Sequence, residues 1–127
     1  MYASQWSSGS PLSRELRIAR VKQFLITYRL KDGMEQQRQA DIATFIAAID
    51  GDPELRGRVS YSCMKKRGGN EYYHIATVAD DTAREALQSR DFFARYTEST
   101  DAAAIGEVDV LPLEIIAETS MPVTAPV

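Results

Sequence analysis

The order of strand and helix patterns is the feature that most constrains the fold of this chain. Between residues 20 and 118 the spacing of apolar residues gives strand, helix, strand, strand, helix, strand. Alternation with period 2 indicates a half-buried strand, whereas apolar residues three and four positions apart indicate an amphipathic helix. The order is that of the ferredoxin-like βαββαβ architecture, an α+β fold. It predicts a four-stranded antiparallel sheet with helices on one face.

The first half of the pattern is a strand followed by a helix. Residues 20–31, "RVKQFLITYRLK", place Phe24, Ile26 and Tyr28 on one face of a strand. Residues 34–49 carry apolar side chains that mostly fall at helical spacings, and the following "DGDP" ends the run.

The second half contains a hairpin, a helix and a last strand. Two β-rich runs within residues 58–78 flank adjacent glycines, which supply the positive φ angles that a tight turn requires. Residues 80–96 predict a helix with a break near residues 89–91. Residues 106–118 predict the last strand. Because Pro112 cannot donate to a ladder, this strand is expected at an edge or a bulge.

The termini differ in composition from the middle of the chain. A length of 127 residues suits one domain, which we place at residues 15–118. Residues 1–14 are rich in Ser, Gly and Pro and predict a flexible N-terminal arm, in which Trp6 either stays in solvent or docks onto protein. Residues 119–127 predict a flexible C-terminal tail.

Composition argues against several classes of function. The formal charge of -3 does not favour a nucleic-acid surface, which needs clustered cations. With one cysteine and one histidine, neither an internal disulfide nor a structural zinc site is expected. No run reaches the roughly 18 apolar residues of a membrane span, and the N-terminus lacks a leader pattern. We therefore expect a cytoplasmic protein without membrane, nucleic-acid or metal partners.

The predicted sheet has apolar residues on both faces, while a single layer of helices covers only one of them. A sheet face of that kind is usually buried against a second sheet. The sequence therefore predicts a homodimer with its sheets face to face.

Three segments together resemble the antibiotic biosynthesis monooxygenase group of the dimeric α/β-barrel superfamily. They are "LRGRVSYSCMK", "EYYHIATVADDTAREALQSRDFFARY" and the apolar last strand. In that group a glycine, here Gly57, precedes the second strand. The third strand leads through an acidic turn into a helix that commonly carries His-x-x-Ser-x-x-Phe. This chain has Ser89 and Phe92, but Ala86 takes the place of the histidine. The departure disfavours chemistry that uses the helix histidine, including haem degradation.

The resemblance implies oxygenation of a quinol or anthrone-like phenol without flavin, haem or metal, so no cofactor is expected. Such chemistry needs a dry pocket, a proton acceptor and hydrogen-bond donors to a phenolate. The candidate base is His74, whose ordinary pKa is near 6.5, and Arg95 is a candidate for stabilising an anion. Candidate polar groups lining the substrate pocket are Tyr28, Tyr61, Tyr72, Ser62 and Asn70.

Each candidate also has a purely structural explanation. His74 can be a satisfied polar residue inside the sheet or the dimer, the tyrosines can be strand packing, and Arg95 can pair with neighbouring carboxylates. Period 2 places Tyr72 and His74 on one sheet face and Tyr73 on the other, without deciding which face meets the helices. Whether the chain is an enzyme stays open. The alternatives are a non-catalytic ligand-binding dimer and a cyclase, isomerase or lyase of the same superfamily.

Overall fold

The structure is a computed structural model and describes residues 21–125. Its elements in chain order are β1 (Lys22–Leu30), α1 (Glu35–Asp50), β2 (Val59–Lys65), β3 (Glu71–Val78), α2 (Asp81–Gln88), α3 (Asp91–Ala103) and β4 (Ala104–Leu113).

The four strands form one antiparallel sheet in the order β2-β3-β1-β4. The two inner strands are therefore β1 and β3, and the hairpin of β2 and β3 lies at one side. This topology confirms the predicted ferredoxin-like α+β fold. Pro112 lies in β4, an edge strand, where the missing N–H faces no further strand of the described sheet.

The helical segment after β3 is split in two, as the sequence predicts. Helix α2 begins after Asp80, whose side chain accepts a hydrogen bond from the Ala83 backbone N–H. It ends at Gln88 with Ser89 as its C-cap, and α3 begins after Arg90. The Arg90 guanidinium donates to Asp52 at 2.7 Å and to Glu54 at 2.8 Å, which ties the break to the loop after α1.

The burial pattern decides which sheet face meets the helices. In β3 every second residue is buried, beginning with Tyr72 and His74 and continuing through Ala76 and Val78. These side chains face the helices. The main core on that side joins Phe45 of α1, Leu55 of the following loop and neighbouring apolar residues of the sheet and helices.

The opposite sheet face carries a row of apolar side chains that remain partly open. Leu25 of β1 lies directly between Ile75 of β3 and Leu111 of β4 in the strand register, so the three share one face. Leu25 and Ile75 are half-buried, and Leu111 is 50% exposed. Within residues 21–125 no helix packs over this row, which we call the outer row.

Strand β4 ends at Leu113, earlier than the predicted end at residue 118. Residues 114–125 have no regular secondary structure, and Ile116 in this segment is 82% exposed. The predicted arm at residues 1–14, with Trp6, lies outside the described residues. None of the described helices is long and apolar enough to cross a membrane.

Leu55 offers a direct test of the packing, because its side chain is fully buried in the main core. We expect Leu55→Ala to lower the free energy of unfolding by about 2–5 kcal/mol through lost burial and a residual cavity. Thr44→Ala, at an exposed position of α1, is the matched control and should change it by less than about 0.5 kcal/mol. Urea denaturation of both variants measures this, and equal stabilities would contradict the packing.

Candidate functional site

A cavity of about 360 Å³ lies between the helix-facing side of the sheet and the helices. This volume is at the lower end of the range for small-molecule sites. Most of its wall is apolar, and a few polar side chains interrupt it. The lining residues include Phe24, Phe45, Phe93, Val108 and Val110, and the polar members include Tyr61, Arg84, Tyr96 and Asp101.

His74 lies behind the cavity wall, in the middle of β3. The ring is fully buried, and the neighbouring residues in register are Ile26 of β1 and Cys63 of β2. Both ring nitrogens have tyrosine partners. Nδ1 lies 2.6 Å from the Tyr61 hydroxyl, and Nε2 lies 2.9 Å from the Tyr28 hydroxyl.

Tyr96 of α3 completes a hydrogen-bonded cluster around the imidazole. Its hydroxyl lies 3.2 Å from Nδ1 of His74 and 3.1 Å from the Tyr61 hydroxyl. Tyr61 and Tyr96 both line the cavity, whereas His74 does not. The buried imidazole is therefore connected to the cavity only through tyrosine hydroxyls, among the described residues. We call Tyr28, Tyr61, His74 and Tyr96 the tyrosine–histidine cluster.

Burial keeps every member of this cluster uncharged near neutral pH. It lowers the pKa of His74 to about 4, and the positive charge of Arg38 acts in the same direction. Burial also raises the pKa of Tyr28, Tyr61 and Tyr96 well above the ordinary value. A neutral imidazole has one N–H donor and one acceptor nitrogen, so the ring can accept a proton at one nitrogen and donate at the other.

Arg38 of α1 is a fully buried cation beside this cluster. Its guanidinium carbon lies 4.9 Å from the Tyr96 ring centroid and 5.9 Å from that of Tyr28. One terminal nitrogen donates to the Ser99 hydroxyl at 3.2 Å. Nε and Nη1 have no hydrogen-bond partner among the described residues, and none of the described carboxylates forms an ion pair with Arg38.

The rim of the cavity carries charges of both signs. Arg84 of α2 is largely buried, donates to the Gln88 side chain at 3.3 Å and lies 3.8 Å from a carboxylate oxygen of Asp81. Asp101 of α3 also lines the cavity but is exposed. These two opposite charges make the rim polar, while most of the remaining wall is apolar, with Tyr61, Tyr96 and Thr100 among its polar members.

Three of the predicted site residues, Tyr28, Tyr61 and His74, come together in the tyrosine–histidine cluster. Tyr72 stacks on Tyr28 with ring centroids 5.4 Å apart and an interplanar angle of 11°. It is buried and is not among the residues that line the 360 Å³ cavity. Tyr72 therefore packs against the cluster from behind.

The structure does not bring the other three predicted residues into the site. Ser62 is exposed on the outer sheet face, opposite Ile75 in the strand register. Asn70 donates its side-chain amide to the Leu30 carbonyl at 3.2 Å, beside the hairpin turn. Arg95 is exposed on α3 and does not line the cavity.

The sequence analysis missed Arg38 and Tyr96. The sequence pattern places Tyr96 among the apolar residues of the predicted helix at 80–96, without indicating a role in the site. Arg38 lies four residues from both Met34 and Ile42, which places it on the apolar stripe of α1. A lone arginine on an apolar helix stripe was the signal that identifies a buried cation.

Two further features concern the helix motif and metals. Ala86, at the position of the family histidine, is half-buried against the main core, and its carbonyl accepts a hydrogen bond from the Ser89 hydroxyl at 2.7 Å. In this chain, Ser89 of the motif caps the C-terminal end of α2. Within residues 21–125, no group of three or more His, Cys, Asp or Glu side chains is arranged to hold a metal ion.

The fold is similar to that of several solved structures. A variant of SnoaB, a cofactor-independent oxygenase from Streptomyces nogalater, has a TM-score of 0.66 and 16% identity, covering 80% of this chain and 99% of its own. Rv0793 from Mycobacterium tuberculosis has a TM-score of 0.66 and 14% identity, over 79% and 99% of the two chains. A structure described as an antibiotic biosynthesis monooxygenase has a TM-score of 0.64 and 10% identity, covering 76% of this chain and 99% of its own.

These similarities confirm that the chain has the fold of antibiotic biosynthesis monooxygenases, as the sequence resemblance implies. Identities of this size establish the fold alone. No family model and no curated protein sequence matches the chain.

Stability should depend on pH through His74. The folded-state pKa of about 4 lies below the ordinary value of 6.5, so the unfolded chain binds the proton first as pH falls. The contribution of neutral His74 to the free energy of unfolding is complete above pH 6.5 and is lost as the pH falls towards 4. At 1.36 kcal/mol per pKa unit, the loss amounts to about 3 kcal/mol. Urea denaturation across this window should show a steeper loss of stability in the wild type than in His74→Gln.

The variant is needed because carboxylates also contribute to acid destabilisation. Hydrogen bonds from Arg90 lower the pKa of Asp52, and the Tyr73 hydroxyl lowers that of Glu71. Both groups lose their stabilising contribution as pH falls through their lowered pKa, in wild type and variant alike. Identical pH slopes in the two proteins would contradict a buried neutral imidazole.

Proposed function

We propose that this protein is a monooxygenase that oxidises a quinol or another hydroxylated aromatic without a bound cofactor. The observation that carries the proposal is the tyrosine–histidine cluster, two of whose members, Tyr61 and Tyr96, line a mostly apolar cavity. The shared fold with SnoaB, described as a cofactor-independent oxygenase, supports it.

The cavity suits a flat aromatic ligand. Phe45 stacks on Tyr96 with ring centroids 3.9 Å apart, and Phe93 lies beside the pair, so the wall offers several aromatic surfaces. An aromatic ring buried there gains from the removal of apolar surface from water. Its hydroxyl could bond to Tyr61 and Tyr96, the two members of the cluster that line the wall. The arrangement therefore orients a phenol with its oxygen towards the cluster.

The cluster provides a route for the proton of the substrate hydroxyl. Tyr61 accepts this proton on its oxygen while it passes its own proton to Nδ1 of His74, 2.6 Å away. His74 has the neutral acceptor form available because its pKa is about 4. In this scheme Tyr61 is the catalytic residue that contacts the substrate. His74 is a positioning residue that acts through it.

The oxidation then uses only the electrons of the substrate. The phenolate transfers one electron to dioxygen, and the resulting aryloxyl radical and superoxide combine to form a carbon–oxygen bond. The hydroperoxide loses water with protons returned through the tyrosine hydroxyls, so one oxygen atom enters the product and the other leaves as water. The protein contributes a dry cavity, oriented hydroxyl donors and the proton route.

One observation favours a second candidate function. The same proton route can serve an isomerase, lyase or cyclase, because Tyr61 and His74 can exchange a proton with a bound substrate in the absence of oxygen. Product formation under anaerobic conditions distinguishes this candidate. Binding of an aromatic without turnover in either atmosphere would instead assign the cavity to a ligand-binding protein.

We also propose that the working unit is a homodimer joined through the outer sheet faces. The outer row of Leu25, Ile75 and Leu111 supports this, together with the 39% exposure of Leu113 beside it. Pairing this face with a second copy would bury the row and supply the layer that the helices do not provide.

Removing the Tyr61 hydroxyl should impair turnover. We expect Tyr61→Phe to lower kcat for oxygen consumption with a quinol or anthrone by about 100-fold or more, the lower range for a lost proton-transfer group. His74→Gln should lower it by at least about 10-fold, because the proton route is interrupted one step further from the substrate. An oxygen electrode, in buffer with chelator and without added cofactor, measures both.

Tyr73→Phe is the matched control, since Tyr73 lies on the opposite sheet face and bonds to Glu71. Its oxygen consumption should equal that of the wild type. Wild-type rates in Tyr61→Phe would remove the cluster from the chemistry.

The dimer is tested by light scattering at micromolar concentration. We expect a dimer for the wild type and a monomer for Leu25→Lys, because a charge in the middle of the outer row would be buried without a partner. Gln36→Lys, at an exposed position of α1, should remain dimeric. A monomeric wild type would exclude the proposed interface.

A further inference from the structure

We propose that Arg38 makes the cavity bind the deprotonated form of a phenol in preference to the neutral form. The inference deepens the proposed function and rests on it, since the same cavity is taken as the ligand site. It starts from a fully buried guanidinium that has no carboxylate partner among the described residues.

A buried charge without a partner is costly to a fold. Transfer of an isolated cation from water to a protein interior is paid back only by counter-ions or by hydrogen bonds to all donors. Arg38 donates to Ser99 at 3.2 Å and also interacts with the Tyr28 hydroxyl, opposing the rise of its pKa, but Nε and Nη1 are unpartnered within residues 21–125. Two aromatic rings stabilise it partly, at 4.9 Å and 5.9 Å. The site therefore has a positive charge that a negative ligand would balance.

The position of Arg38 connects this charge to the cavity. Its guanidinium packs against the ring of Tyr96, whose hydroxyl belongs to the tyrosine–histidine cluster and whose side chain lines the cavity. Arg38 covers one face of this ring and Phe45 stacks on the same ring, so a phenol oxygen that accepts hydrogen bonds from Tyr61 and Tyr96 would lie at its hydroxyl end. Because Arg38 is fully buried, solvent screens its attraction for a nearby anion only weakly.

The other charged and titratable groups around this position do not cancel the charge. The sheet contributes Tyr28, Tyr61, Cys63, Tyr72 and His74. The helices contribute Glu35 from α1, Arg84 from α2, and Tyr96 and Asp101 from α3. Glu35 and Asp101 are exposed to solvent, whereas Arg38 is fully buried. Burial raises the pKa of the Cys63 thiol to about 11, so it stays neutral as the tyrosines do.

Arg38 also affects how the proton leaves. Its charge opposes a second positive charge on His74, in the same direction as burial. An imidazolium formed during proton transfer is therefore disfavoured and returns its proton through Tyr61 to the peroxide formed on the substrate, whereas a phenolate in the cavity is stabilised. Arg38 is thus a positioning residue for charge: it favours the anionic state of the ligand without contacting the reacting atoms.

The experiment uses para-nitrophenol, whose phenol and phenolate forms absorb at different wavelengths. The absorbance of the bound ligand is titrated with pH in wild type, Arg38→Met and Arg38→Lys. We expect the ligand bound to wild type to ionise at a lower pH than free ligand. In Arg38→Met its apparent pKa should rise by about one unit, a tenfold change in proton affinity. Arg38→Lys retains the charge and should remain near the wild type.

Arg95→Met is the matched control, because Arg95 is an exposed arginine on α3 outside the cavity. It should titrate as the wild type does. Equal titration in Arg38→Met and wild type overturns the inference. So does a wild-type complex that titrates as free ligand, or the absence of binding.

A second measurement needs no variant and holds if Arg38→Met fails to fold. The affinity of the wild type for para-nitrophenol should rise with pH as the ligand ionises, while its affinity for the methyl ether, which cannot ionise, should stay level. Equal pH dependence of the two ligands overturns the inference.

Oxygen consumption separates this inference from the proposed function. If the pKa of the bound ligand is lowered but no quinol causes oxygen uptake, the preference for the anion stands and the proposed monooxygenase function is excluded. If oxygen is consumed but the pKa of the bound ligand equals that of the free ligand, the monooxygenase function stands and the anion preference is excluded.

Discussion

The hydrogen bonding of one buried imidazole is the constraint on which the site depends. His74 lies in an inner strand with no exposed surface, where an unpaired ring nitrogen would cost the free energy of a lost hydrogen bond. Tyr28 and Tyr61 satisfy the two nitrogens from the neighbouring strands β1 and β2. The register of the three strands therefore fixes both tyrosine hydroxyls, and one of them is held at the cavity wall.

The same burial sets the electrostatic character of the site. It keeps His74 and its tyrosines neutral, while the guanidinium of Arg38 supplies the one fully buried permanent charge among the described residues near them. A fixed cation next to neutral, proton-exchanging groups stabilises a nearby anion. The same cation disfavours a second positive charge, so the cluster is a poor place to hold an extra proton. This combination agrees with the proposed oxidation, in which a phenolate gives an electron to dioxygen.

Much of the fold could be predicted from the sequence, because period-2 and helical spacings, the glycine turn and Pro112 are local signals. The break between α2 and α3 was predicted for the same reason. The site was harder, since it depends on which sheet face meets the helices, and alternation in β3 alone does not decide this. Of the predicted residues, Tyr28, Tyr61 and His74 lie together in the tyrosine–histidine cluster, whereas Ser62 lies on the opposite face and Asn70 and Arg95 lie away from the cavity. Arg38 was missed because a charged residue within a helix normally indicates a solvated position.

The central claim is that the cavity oxygenates a hydroxylated aromatic with dioxygen and without a cofactor. The most direct test is turnover of a quinol or anthrone under isotopically labelled dioxygen, in chelated buffer, with mass spectrometry of the product. We predict one labelled oxygen atom in each product molecule and the other in water. Product without label, formed equally well in the absence of oxygen, would contradict the claim and assign the tyrosine–histidine cluster to acid–base chemistry.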